Sequence, residues 1–291
     1  MLRLPGSMPH AQHVLSVARA LGKLAVAAAV VSACAASSEP RLVSVPHPDL
    51  RPASRLDQIA DYRTAAATVA SIAERELGFS SFPITFRFYP NTEAFERVLL
   101  EVGYDAALAR STANTMVAVG GHRGVLLNDA RLVVLPWGER VALLAHELGH
   151  TLQYELGGGR RGTSDQWLRE GFAEWLSISV LARLERSVSL TAIRRARQSE
   201  LRAAGRSKLP RLSELVTFPQ WVNAGKSHSA TMYPMAFLAA DFLLERHGIP
   251  AVLGYFKRFA TSEDRTGNFR AAFGEEIENF EAALIDSVWQ R

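Results

Sequence analysis

The chain has 291 residues, of which 48% are hydrophobic, with 33 Lys and Arg against 29 Asp and Glu. That apolar content suffices for a core in one large domain or two small ones. The formal charge of +4 is concentrated at the N-terminus: Arg3, Arg19 and Lys23 lie in the first 33 residues, which hold no acid. Removing those three leaves 30 basic against 29 acidic residues, so nothing points to a nucleic-acid partner. The single cysteine excludes a disulfide within one chain.

Residues 1–36 read as an export signal. Arg19 and Lys23 precede the apolar run Leu24 to Val31, which is short for a membrane span and is followed by small residues. Val31-Ser32-Ala33-Cys34 resembles the lipobox of bacterial lipoproteins. The resemblance implies a lipid on Cys34, attachment to a membrane through that lipid, and a place in the bacterial cell envelope facing the periplasm. An ordinary signal peptide cut after Ala36, releasing a secreted soluble protein, is the alternative. Met8 is a second candidate for the start.

Residues 37–55 include Pro40, Pro46, Pro48 and Pro52 and are expected to form a linker. The folded domain is expected over 56–291, with a sheet and its central helix in 56–157 and a helical part in 164–291. Apolar spacing predicts a helix from Asp57 to Leu77, stopped by Gly78. Ile84 to Tyr89 alternates as a half-buried strand, and Asn91-Thr92 opens a short helix through about Val102. Thr115 to Val119 and Val125 to Asn128 are strand candidates joined by Gly120-Gly121-His122-Arg123-Gly124, and a third apolar run covers Leu132 to Leu135. Pro136 suits a helix start, and a helix is expected from about Trp137 to Leu156, ending at Gly157 to Gly162. Beyond it helices are expected from Ser164 or Asp165 to Arg186, Ser229 to His247, Ala251 to Phe259 and Glu275 to Trp289. Arginines 194, 195, 197, 202, 206 and 211, with Lys208, read as a solvated helix face. A small sheet followed by a helical half is the α+β class.

The chemistry centres on His146-Glu147-Leu148-Gly149-His150. Two histidines four apart on a helix share a face and can bind one metal ion, and the Glu beside the first reaches a water on that ion. This is the H-E-x-x-H arrangement of zinc metallopeptidases. A catalytic zinc site needs a third ligand, and Trp167-Leu168-Arg169-Glu170-Gly171-Phe172-Ala173-Glu174-Trp175 offers Glu170, twenty positions after His150. Gly171 removes a side chain where two helices would approach closely.

HELGH followed by WLREGFAEW resembles the gluzincin clan of zinc peptidases, and within it the membrane-alanyl-type aminopeptidases. The resemblance covers about Thr115 to Gly248. It implies a zincin-like fold, one Zn2+ per chain held by His146, His150 and Glu170, Glu147 as general base, and a peptide or protein substrate. It also implies that Tyr233, fifteen residues before Gly248, stabilises the tetrahedral intermediate, and that Glu174 can hydrogen-bond the non-metal nitrogen of a ligand histidine. The aminopeptidase G-x-M-E-N motif is missing: its place holds Gly120-Gly121-His122-Arg123-Gly124, without the acid that binds a free amine. An endopeptidase is therefore expected, with the strand at Gly120 and Gly121 holding an extended peptide. A metal-stabilised binding protein without turnover and an amidase acting on cell-wall-type bonds are the alternatives.

Overall fold

The computed structural model describes residues 39–78, 82–121, 123–160 and 163–290. Its sheet has four strands: β1 (Arg41–Val45), β2 (Ile84–Tyr89), β3 (Ala118–Gly121) and β4 (Gly124–Asn128). They lie in the order β1-β2-β4-β3, which makes β3 an edge strand. β1 runs antiparallel to β2, β2 parallel to β4, and β4 antiparallel to β3.

β1 corrects the reading of 37–55 as a linker. Val43 and Val45 alternate with exposed neighbours and are 3% and 2% exposed. Pro40 and Pro46 flank the strand rather than interrupt it. Because β1 lies at a sheet edge, flanking prolines cost it no ladder partner on the open side. β2 behaves as its alternation predicts, with Ile84, Phe86 and Phe88 buried.

The first helix, α1 (Tyr62–Leu77), starts five residues later than its apolar spacing suggests. Asp61 accepts from the Thr64 amide at 2.8 Å and caps it, while Leu56–Gln58 forms a separate 3-10 turn. Gly78 ends it in the left-handed conformation, φ 62°. Between β2 and β3 lie α2 (Thr92–Glu101) and α3 (Ala106–Thr115), and the sequence reading missed α3. Its AALARSTANT sequence carries little apolar periodicity, yet Asp105 caps it by accepting from the Leu108 amide at 2.9 Å. Thr115 thus closes a helix and does not open a strand. Of the apolar run Leu132 to Leu135, only Leu132 lies in a helical turn, α4 (Asp129–Leu132), and the rest forms the turn before Pro136.

The remaining helices are α5 (Trp137–Leu156), α6 (Gln166–Leu184), α7 (Leu190–Ala204), α8 (Phe218–Ser227), α9 (Met232–Arg258), α10 (Arg265–Phe273) and α11 (Ile277–Trp289). The α+β class holds, and α8 and α10 were not anticipated. α9 runs through the expected stop, broken at Gly248, whose φ of 77° and ψ of 167° are non-helical.

Glycines set the closest packing. A side chain at Gly149 of α5 would lie 3.0 Å from Ala173 Cα of α6. One at Gly171 of α6 would lie 2.0 Å from the Ala236 carbonyl oxygen of α9. Gly171 thus permits the α6–α9 approach, while Gly149 permits α5–α6. Around them Trp167 stacks 6.0 Å from Phe280, and Phe172 meets Phe256 edge-on at 5.5 Å. Burial of each such ring is worth about 2 to 3 kcal/mol, so α6 is held from several sides. No helix among the described residues is long and apolar enough to cross a membrane. Cys34 lies outside the described residues.

Candidate metal centre

α5 has the bounds its sequence predicts, and nearly every residue from Val141 to Tyr154 is buried. It therefore presents His146 and His150 inside the molecule. Their Nε2 atoms are 3.2 Å apart, with the rings almost perpendicular at 85°. α6 brings Glu170 against both: one carboxylate oxygen lies 3.7 Å from His146 Nε2 and the other 3.7 Å from His150 Nε2. Among the described residues these three form the group that could hold a metal ion. An ion about 2.1 Å from each of three tetrahedral ligands would set them about 3.4 Å apart. With one atom taken from each residue the three lie within 4.8 Å of one another, so an ion would draw the Glu170 carboxylate inward to reach that size.

Protonation agrees with the same reading. Two imidazole nitrogens 3.2 Å apart cannot both carry a proton comfortably. Burial pulls His146 down, but Glu170, Glu147 and Glu174 outweigh it and hold that ring up. Burial, reinforced by His146 and Arg169, pushes His150 down. The two imidazoles are thus driven apart in basicity, and the proton that His146 holds is one a bound cation would displace.

Hydrogen bonds fix the donors. Nδ1–H of His150 donates to Gln153 Oε1 at 3.1 Å, since an amide oxygen only accepts, and this leaves the lone pair on Nε2. Gln153 is itself anchored by donating to the Arg169 carbonyl oxygen at 2.9 Å. On α6, Gln166 donates to Glu170 Oε1 at 2.7 Å and accepts from Arg169 at 2.9 Å. Spacing on a helix could have flagged Gln153, three residues after His150, and Gln166, four before Glu170. Neither was anticipated.

Glu174 faces His146 without making the hydrogen bond that the resemblance implies: one of its oxygens lies 3.9 Å from His146 Nδ1. That is an ion-pair distance and not a hydrogen bond, and His146 Nδ1 has no hydrogen-bond partner. The other oxygen of Glu174 accepts from Arg197 of α7 at 3.3 Å. Burial raises the Glu174 carboxyl, with Arg197 and His146 opposing.

The arginine run is therefore not a solvated face throughout. The Arg197 side chain is 7% exposed, and Arg194 donates to Asp241 of α9 at 3.1 Å. Nothing in a run of like charges marks which member turns inward.

Glu147 is buried beside β3. A side chain on Gly120 would come within 2.9 Å of the Glu147 carbonyl oxygen and 3.0 Å of both Glu147 Oε2 and His150 Cβ. The Asn128 amide donates to the Val117 carbonyl, and the antiparallel register then turns N–H and C=O of Ala118 and Gly120 away from β4. Gly121 pairs with Gly124 at the turn. There Arg123 has φ 53° and reaches Glu155 of α5 at 3.4 Å, while His122 lies outside the described residues. Tyr233 sits in the first turn of α9, 8% exposed, its ring edge-on to Trp221 of α8 at 4.9 Å.

No protein-family profile, curated protein or solved structure gives a significant match to this chain.

Proposed function

We propose that this protein is a zinc-dependent metallopeptidase with a zincin-like arrangement of sheet, metal helix and third-ligand helix. The observation that carries the reading is the buried His146–His150–Glu170 triangle with Glu147 and the bare Gly120 strand beside it. Three nitrogen and oxygen donors without thiolates suit a catalytic ion with one position left for water, whereas structural zinc favours four closed ligands. Zinc held there would supply a Lewis acid and a bound water with a pKa near 7. Glu147 takes a proton from the attacking water and delivers it to the leaving amine. Tyr233 donates a hydrogen bond to the developing oxyanion. The outward N–H and C=O of Ala118 and Gly120 hold an extended peptide as a further strand, and the missing amine-binding acid favours internal bonds over N-terminal ones. Residues 1–36 as an export signal, with Cys34 as lipid acceptor, set the working compartment at the cell envelope.

The test measures zinc by elemental analysis and cleavage of a mixed fluorogenic peptide pool, in the wild type, Glu147→Gln and Glu170→Ala. One zinc per chain is expected in the wild type and Glu147→Gln, with cleavage lowered about a hundredfold or more in the latter. Glu170→Ala should lose both zinc and cleavage. Zinc without cleavage of any peptide would favour the binding-protein or amidase alternatives, and no zinc after reconstitution would sink the site.

A further inference from the structure

α7 contributes no metal donor, yet it sends one buried guanidinium towards the site. Arg197 donates to Glu174 at 3.3 Å and pairs with Glu200 at 3.0 Å, while its side chain is 7% exposed. Glu174 is equally buried at 8%, and its second oxygen faces His146 Nδ1 at 3.9 Å. A buried carboxylate in this position escapes its desolvation cost by rotating away, by taking up a proton, or by being held by an opposite charge. Only the last keeps a charged oxygen directed at the imidazole. One arm of the Arg197 fork, Nη2, binds one Glu174 oxygen while the other arm, Nη1, is held by Glu200, and the Glu174 carboxylate plane then directs its second oxygen.

We infer that Arg197 is a positioning residue for the metal centre, acting through Glu174 to orient His146. The inference rests on the zinc reading above. Glu200, 46% exposed, ties the far side of the guanidinium and fixes its approach. Arg194, one turn earlier on the same helix, makes a comparable part-buried pair with Asp241 but touches none of these groups, which makes it the internal control.

The experiment is a double-mutant cycle on zinc affinity, measured by chelator competition on the full chain, with thermal unfolding of each zinc-free variant recorded beside it. Arg197→Met and Glu174→Gln should each weaken zinc about ten- to a hundredfold, the range for partners behind a ligand histidine. The double variant should bind no more weakly than Glu174→Gln alone, because Arg197 has nothing left to act on. Arg194→Met should lower the melting temperature and leave zinc affinity unchanged. Should Arg197→Met not fold, Arg197→Lys, which keeps charge without the fork, takes its place and should give an intermediate loss. Losses that multiply in the double variant, or an Arg197 variant that binds zinc as the wild type does, would overturn the inference while leaving the metal site standing. A wild type that binds no zinc would overturn both.

Discussion

Gln153 illustrates what single residues do in this centre. Its amide oxygen sets the His150 tautomer and its amide nitrogen ties α5 to the backbone of α6. Gln153→Ala should weaken zinc about tenfold by freeing the ring, while the zinc-free protein loses about 1 kcal/mol for the bond to Arg169. Gln153→Glu keeps an acceptor for His150 and should retain more affinity than the alanine variant. Chelator competition and urea unfolding measure the two effects separately. The candidate ligands His146 and His150 were legible, because they are neighbours on one helix and local spacing places them. Arg197 was not, since it meets Glu174 across 23 positions and only the packing of two helices brings them together.

At the scale of elements, legibility followed how much of each element's folding is local. α5 could be bounded from its apolar pattern and Pro136. α3 and α10 could not, as their buried residues lie at helical spacing but are few and include small or polar side chains: Ala109, Thr112 and Ala113 in one, Asn268, Phe269 and Phe273 in the other. β1 was hidden because prolines read as linker until the partner strand is known. The glycine contacts separate two helix pairs by their tolerance. Gly171→Ala forces a methyl group 2.0 Å from a carbonyl oxygen in the backbone of α9, which cannot swing aside as a side chain would. It should cost about 3 kcal/mol in urea unfolding, and more than Gly149→Ala, whose nearest atom is at 3.0 Å. Equal losses would mean that α6 and α9 shift apart freely.

The whole molecule carries a pH dependence that the sequence did not announce. Asp165, at the N-cap of α6 and 2% exposed, meets the Tyr255 hydroxyl at 2.8 Å and Arg265 at 3.6 Å. Burial raises its carboxyl from 3.8 to about 6, with the Tyr255 hydrogen bond and Arg265 opposing. The folded state therefore keeps a proton that the unfolded chain releases between about pH 4 and pH 6. Stability falls as pH rises through that window and stays lower above it, by about 3 kcal/mol at most. Asp165→Asn removes this contribution, so the variant's stability relative to wild type should climb from pH 4 to pH 7. Denaturant unfolding at several pH values measures that difference, and a constant offset would place the Asp165 carboxyl at its ordinary value. Tyr255 belongs to the half of α9 beyond Gly248, and Ala236 to the half before it, so one broken helix braces both the start and the middle of α6.

Gly120 leaves a different kind of mark. With no room for a side chain against Glu147 and His150, the wall beside the proposed general base is bare main chain. A polypeptide laid along it would be read by a grammar common to all polypeptides, amide to carbonyl, whatever its residues spell. Choice among substrates then has to be written on surfaces farther from the scissile bond, and re-engineering of preference belongs there, because this position admits no other letter.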